Sequence, residues 1–187
     1  MKKTTNSKKL TLAGMFLALA LLMPFLTGQI PQVGSMLCPM HIPVILCGFF
    51  CGGFWGLLVG AVAPLLRSVL FGMPPMFPVA FCMAFELAVY GLVSGTLHRL
   101  LPRKKASVYV SLVTAMVLGR LVWGAAMLFC VGAGFGFSAF LAGAVTTALP
   151  GIVLQLVLIP VLVFSMEKYT KERRVFMPFQ TYLLEQL

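Results

Sequence analysis

"MLCPMHIPVILCGFFCGGFWGLLVGAVAPLLRSVLF", residues Met36–Phe71, decides how this chain is threaded. Drawn as one straight helix, the run would reach about 54 Å at 1.5 Å per residue, against a hydrocarbon core of about 30 Å. It carries its own break: in "CGGFWG" (Cys51–Gly56), Gly52 and Gly53 can turn the backbone tightly. The positions of the basic residues choose between one crossing and two. If the run crosses once, the cluster Arg99, Arg103, Lys104 and Lys105 lies opposite Lys2, Lys3, Lys8 and Lys9. If it crosses twice, both clusters, and Lys168, Lys171, Arg173 and Arg174, share one side. Each cluster holds four cations, so twelve of the 14 Lys and Arg residues then face the cytoplasm, as the positive-inside rule requires. The reading is two crossings.

Composition says what is being crossed. Of 187 residues 60% are hydrophobic and 10% charged, with a mean hydropathy of +1.03. A soluble domain keeps roughly a quarter of its residues charged, so the solvent for most of this chain is lipid. The net charge of +10 does not point to nucleic acid, because the cations sit in short groups at the edges of apolar runs rather than along a phosphate-tracking face. The five cysteines (Cys38, Cys47, Cys51, Cys82, Cys130) form no C-x-x-C pair, and no His or carboxylate completes a metal site around Cys47 and Cys51. They read as small buried hydrophobes, with no metal. The N-terminus has a basic head and an apolar core but no clean A-x-A cleavage site, so it reads as a retained first helix.

The expectation is an all-α integral membrane bundle, one domain over residues 1–187. Its six transmembrane helices fall near 10–26, 36–51, 54–71, 77–97, 108–131 and 139–166, with both termini in the cytoplasm. Three connections then face outward: Thr27–His41, the Pro-rich elbow Gly72–Phe77, and Gly132–Ser138. The glycines of the last are no nucleotide fingerprint, since no strand precedes them and no acidic residue follows.

Only Arg67, Glu86 and Arg120 are charged within the spans. Each costs about 2.5–3.5 kcal/mol at a helix centre on insertion scales, so each should face the bundle interior or a wet cavity. Counted from the outer helix ends, Glu86 and Arg120 both lie about 14 Å down, and Arg67 only about 6 Å. Helices four and five are consecutive and antiparallel, so Glu86 and Arg120 can meet. A structural ion pair and a ligand site both fit that meeting, and Arg67 fits both a site and a snorkelling side chain. Two arginines against one glutamate leave an excess of positive charge, which suits a small carboxylate. Trp123 and Met127 follow Arg120 on one helical face, and Tyr90 lies one turn from Glu86. These offer an aromatic floor for a small polar solute, although Trp123 fits inter-helix packing equally well. His41, at the outer mouth of helix two, is a candidate for the entrance. No catalytic constellation is present: there is no H-E-x-x-H, no Walker A sequence, and no Asp anywhere in the chain.

These residues resemble a known family. "MHIPVILCGFFCGGFWGLLVGAVAPLLRSVLFGMPP" (Met40–Pro75) and "MAFELAVYGLVSG" (Met83–Gly95) look like the substrate-binding S component of an energy-coupling factor (ECF) vitamin transporter. The resemblance covers nearly the whole chain. It implies a bacterial plasma-membrane subunit that binds a small water-soluble vitamin or precursor near the outer face. It also implies ATP-driven uptake with a transmembrane T subunit and two cytoplasmic ATPases, and no enzyme activity or cofactor of its own. The family docks on the T subunit through an Ala-x-x-x-Ala step in helix one. Here the step is Gly14-x-x-x-Ala18, with Ala13 and Ala20 also available. The excess of arginine favours a carboxylate-bearing vitamin such as pantothenate. Nicotinate, a pyridoxine-type ring, a dimethylbenzimidazole-type base and a queuosine precursor stay open. A self-sufficient proton-coupled transporter using Glu86 is the alternative, against which the six-span size and the lack of inverted repeats count.

Overall fold

The computed structural model describes residues 6–27, 36–102 and 104–184, and all its regular elements there are helical. Helix α1 is Asn6–Leu22, tightening into a 3-10 turn at Met23–Thr27. Then follow α2 (His41–Cys51), α3 (Gly53–Phe71), α4 (Phe81–Leu100) and α5 (Lys105–Val131). The last segment opens with the short helix Phe137–Leu141, widens at Ala142–Thr146, and continues as α6 (Leu149–Leu184). Of the connection expected at Thr27–His41, residues 28–35 lie outside the described residues, as do Lys2, Lys3 and Arg103.

Among the described residues five stretches are long and apolar enough to cross a membrane: Asn6–Leu26, Gly53–Phe71, Met76–Leu100, Lys105–Val131 and Phe137–Met166. Their outward faces are greasy, with Leu10, Val62, Val69, Val117, Leu121, Val157 and Val161 all exposed. In water such faces would be untenable; in lipid they are the expected solvent contact. The family of helices is therefore a membrane bundle.

The break inside Met36–Phe71 falls where expected, but the first half is shorter than expected. The run Met36–Phe71 does break at the glycines: Gly52 takes φ 101°, a backbone open to glycine, and ends α2 while α3 begins at the next residue. The expected helix at 36–51, however, starts only at His41 and has 11 residues. That is about 16 Å, half of a bilayer core. Pro39 and the left-handed backbone of Cys38 (φ 47°) stop the helix from extending backwards. Short as it is, α2 is the centre of the molecule. Every residue from His41 to Phe49 is buried, which is how a helix that is apolar all round must sit.

Close approach of backbones holds α2, α3 and α4 together. Gly48, Gly56 and Gly91 meet where the three helices cross, and a Cβ on any of them would collide with backbone of a neighbour. Without a hydrophobic drive between helices in lipid, such small-residue contacts carry the packing through dispersion. At one end of the bundle Arg99 donates a hydrogen bond to the carbonyl of Cys51 (2.8 Å), and Lys9 is close enough to act on Cys51 electrostatically. Lys9 and Arg99, one residue from each of the first two basic clusters, thus share an end with the α2–α3 turn. The other end carries the elbow after α3, where Gly72 caps the helix at φ 69° and the Met73–Pro74 and Phe77–Pro78 peptide bonds are cis.

Candidate functional site

Because α2 starts halfway through the bundle, its first side chain is delivered into the interior rather than to a surface. His41 is 1% exposed, and its Nε2 lies 3.4 Å from Oε1 of Glu86. Helix α4 supplies Glu86, also 1% exposed. Helix α5, packed along α4, supplies Arg120, whose Nη1 forms an ion pair with the same Oε1 at 3.1 Å. The equal-depth argument made from the two helix ends is thereby met. A buried carboxylate between an arginine and a histidine is charge-compensated, which a membrane interior demands.

Two further groups complete the cluster. Tyr90, one turn along α4 and fully buried, holds its ring 5.2 Å from that of His41, and its hydroxyl interacts with Glu86. Gly119 of α5 gives the tyrosine ring its space, since a Cβ there would run into it. Cys38, just before α2, places its Sγ 3.6 Å from Nη2 of Arg120, which donates to it. Sequence reasoning took Cys38 for a small buried hydrophobe.

The cluster is not fully satisfied. Nδ1 and Nε2 of His41, Oε1 of Glu86 and Nε of Arg120 are buried without a well-formed hydrogen bond among the described residues. Each such group costs about 1–3 kcal/mol relative to a satisfied one. Their gathering in one place, with Arg120 retaining 15% exposure of its side chain, makes this cluster the candidate site.

The other expected site residues have different partners. Arg67, on α3, is 3% exposed and donates to the backbone carbonyl of Leu21 at 2.5 Å. Its guanidinium also sits 5.1 Å from the ring centre of Phe25 and 5.3 Å from that of Phe71, two rings that meet edge to face. The cause lies in α1. In a 3-10 turn the amide of residue i bonds the carbonyl of residue i−3, and Pro24 has no N–H to give Leu21. Arg67 supplies the missing donor. Trp123, half-buried, packs edge-on against Phe135 at 5.7 Å and nearly parallel to Phe140 at 6.4 Å, with Gly143 close to its six-membered ring. Met127 is half-buried one turn further along α5.

On α1, Gly14 and Ala18 are exposed, and a Cβ on Gly14 would meet nothing within 4 Å. Ala13, Phe16 and Ala20 are the ones that turn inward. The small-residue step therefore faces away from the bundle.

Residues 8–163 match the family model described as "ECF transporter, substrate-specific component". No curated protein and no solved structure matches the chain.

Proposed function

We propose a ligand for this chain on the premise that it belongs to the substrate-specific components of ECF transporters. It is accordingly a multi-pass membrane protein and a transport subunit rather than an enzyme, working in a complex with T and ATPase subunits. Within that role, the Glu86, Arg120 and His41 cluster is the binding site, and its ligand is a small vitamin that carries a carboxylate together with hydroxyl or amide donors. Pantothenate is the first candidate.

One observation carries this reading: a buried Arg–Glu pair whose Nε and Oε1, like both nitrogens of the adjoining His41, still lack well-formed hydrogen bonds. A polar solute leaving water needs a partner for each of its groups, or it forfeits the desolvation cost. Arg120 answers a carboxylate with directed N–H groups. Glu86 answers hydroxyl or amide donors, and His41 stands beside both. A bare anion would leave Glu86 facing its charge unrelieved, and a cation would find that charge already neutralised by Arg120. A carboxylate with donors satisfies both ends. Tyr90 belongs to the same wall. Trp123 and Met127, further out on α5, are assigned to the apolar part of the ligand's path.

The exposed step Gly14 and Ala18 is the surface for the T subunit, because its small side chains permit close helix approach and none of the described residues covers Gly14. The termini lie in the cytoplasm, on the strength of the shared basic end. Equilibrium titration of the purified chain with pantothenate, its alcohol analogue, nicotinate, pyridoxine, dimethylbenzimidazole and a queuosine precursor tests the ligand. Pantothenate should bind most tightly, and the alcohol, lacking the carboxylate, at least tenfold more weakly, as about 1.4 kcal/mol of lost contact implies. Equal affinity for acid and alcohol would remove Arg120 from carboxylate recognition.

A further inference from the structure

Two thiols stand next to the site without belonging to it. Cys82 lies in the first turn of α4, one turn before Glu86, and is fully buried. Cys130 lies in the last turn of α5 and is half-buried. Their Sγ atoms are 3.8 Å apart, in van der Waals contact across the seam between the two helices. The other close pair, Cys47 and Cys51, sits one turn apart on a single buried helix and joins no two elements. Of the two thiol pairs, Cys82–Cys130 is the one that joins the two helices carrying Glu86 and Arg120.

We infer that Cys82 and Cys130 form a reversible intramolecular disulfide that fastens the α4–α5 seam beside the ligand site and slows ligand exchange. They occupy the end of α4 opposite Arg99, which on the orientation proposed above is the outer side, where disulfides persist. With hydrogen peroxide as oxidant, the half-buried Cys130 thiol is oxidised first, giving a sulfenic acid and one water. The Cys82 sulfur then attacks the Cys130 sulfur, the S–O bond breaks, and a second water leaves. With a small disulfide as oxidant, Cys130 first forms the mixed disulfide, and Cys82 displaces the second thiol. In both routes two S–H bonds are lost, one S–S bond is made, and the oxidant takes two electrons and two protons. A buried partner and an accessible partner suit this order, since the first encounter needs exposure and the second needs only contact.

The effect on exchange rests on the site proposed above; the disulfide itself does not. The full chain in lipid nanodiscs is treated with hydrogen peroxide, or with oxidised glutathione, then labelled with a maleimide and mapped by peptide mass. The expected result is one cross-linked peptide lighter by two hydrogens, with Cys82 and Cys130 both unlabelled, and full reversal by dithiothreitol. Cys82→Ser should trap Cys130 as its glutathione adduct. Release of radiolabelled pantothenate should then slow by about fivefold or more on oxidation of the wild type and not in Cys82→Ser. A wild type that accumulates the Cys130 adduct, or keeps both thiols labelled, overturns the disulfide. A disulfide that forms while release is unchanged overturns its effect on exchange. Failure of pantothenate to bind at all counts against the site, and the mass result still decides the disulfide.

Discussion

Arg67 and Arg120 are the same residue in the same kind of place, an apolar helix inside a membrane bundle, yet the fold gives them different work. Arg67 is closed off: a backbone carbonyl accepts its hydrogen bond and two phenyl rings pack against its guanidinium. Arg120 is left open, sharing one carboxylate oxygen with His41, touching a thiol, and keeping Nε without a well-formed bond. The difference teaches that a charge in the membrane is not diagnostic by itself. What its partners leave unsatisfied is the better guide.

Arg120→Ala is the harshest way to press that contrast. It strands Glu86 as a buried carboxylate without its cation, which costs about 3–5 kcal/mol of stability. Affinity for pantothenate should fall at least thirtyfold, since about 2 kcal/mol or more goes with a desolvated charged contact. Thermal unfolding in detergent and equilibrium titration read the two effects. Arg67→Met should come next and divide them differently. It forfeits a charge-assisted hydrogen bond and ring contacts, about 2–3 kcal/mol in stability, while pantothenate affinity stays within about threefold. A smaller loss is expected from Tyr90→Phe, which deletes only the hydroxyl beside Glu86: about 1 kcal/mol, or some fivefold in affinity.

Much of this arrangement was legible before any coordinates. The break between α2 and α3 followed from the length of the run Met36–Phe71 and from Gly52. The meeting of Glu86 with Arg120 followed from antiparallel neighbours and equal depth. What was hidden depended on contacts distant in sequence. His41 reaches Glu86 only because α2 is short and central, and that shortness is set by Cys38 and Pro39 rather than by any break in hydrophobicity. The partner of Arg67 is a carbonyl made available by Pro24, forty-odd residues earlier, and no periodicity reports a missing N–H. Trp123 found Phe135 and Phe140 because the last segment folds back across α5, a packing choice that a single aromatic residue does not announce.

The explanation for Arg67 carries its own gentle test. Pro24→Ala restores an amide that can bond the Leu21 carbonyl, so Arg67→Met should cost less in that background. The double-mutant cycle, read by thermal or chemical unfolding, should return a coupling of about 0.5–1 kcal/mol. No coupling would mean that Arg67 holds Leu21 for some reason other than the proline.

The most direct measurement is a paired titration of pantothenate into the purified wild type, Arg120→Ala and Arg67→Met, each shown to be folded by its unfolding curve. Saturable binding that survives in Arg67→Met and collapses in Arg120→Ala is the result expected if the Glu86, Arg120 and His41 cluster is the site. Binding that survives the loss of Arg120 but not of Arg67 would place the ligand at the end of α1 instead, and the central claim would be wrong.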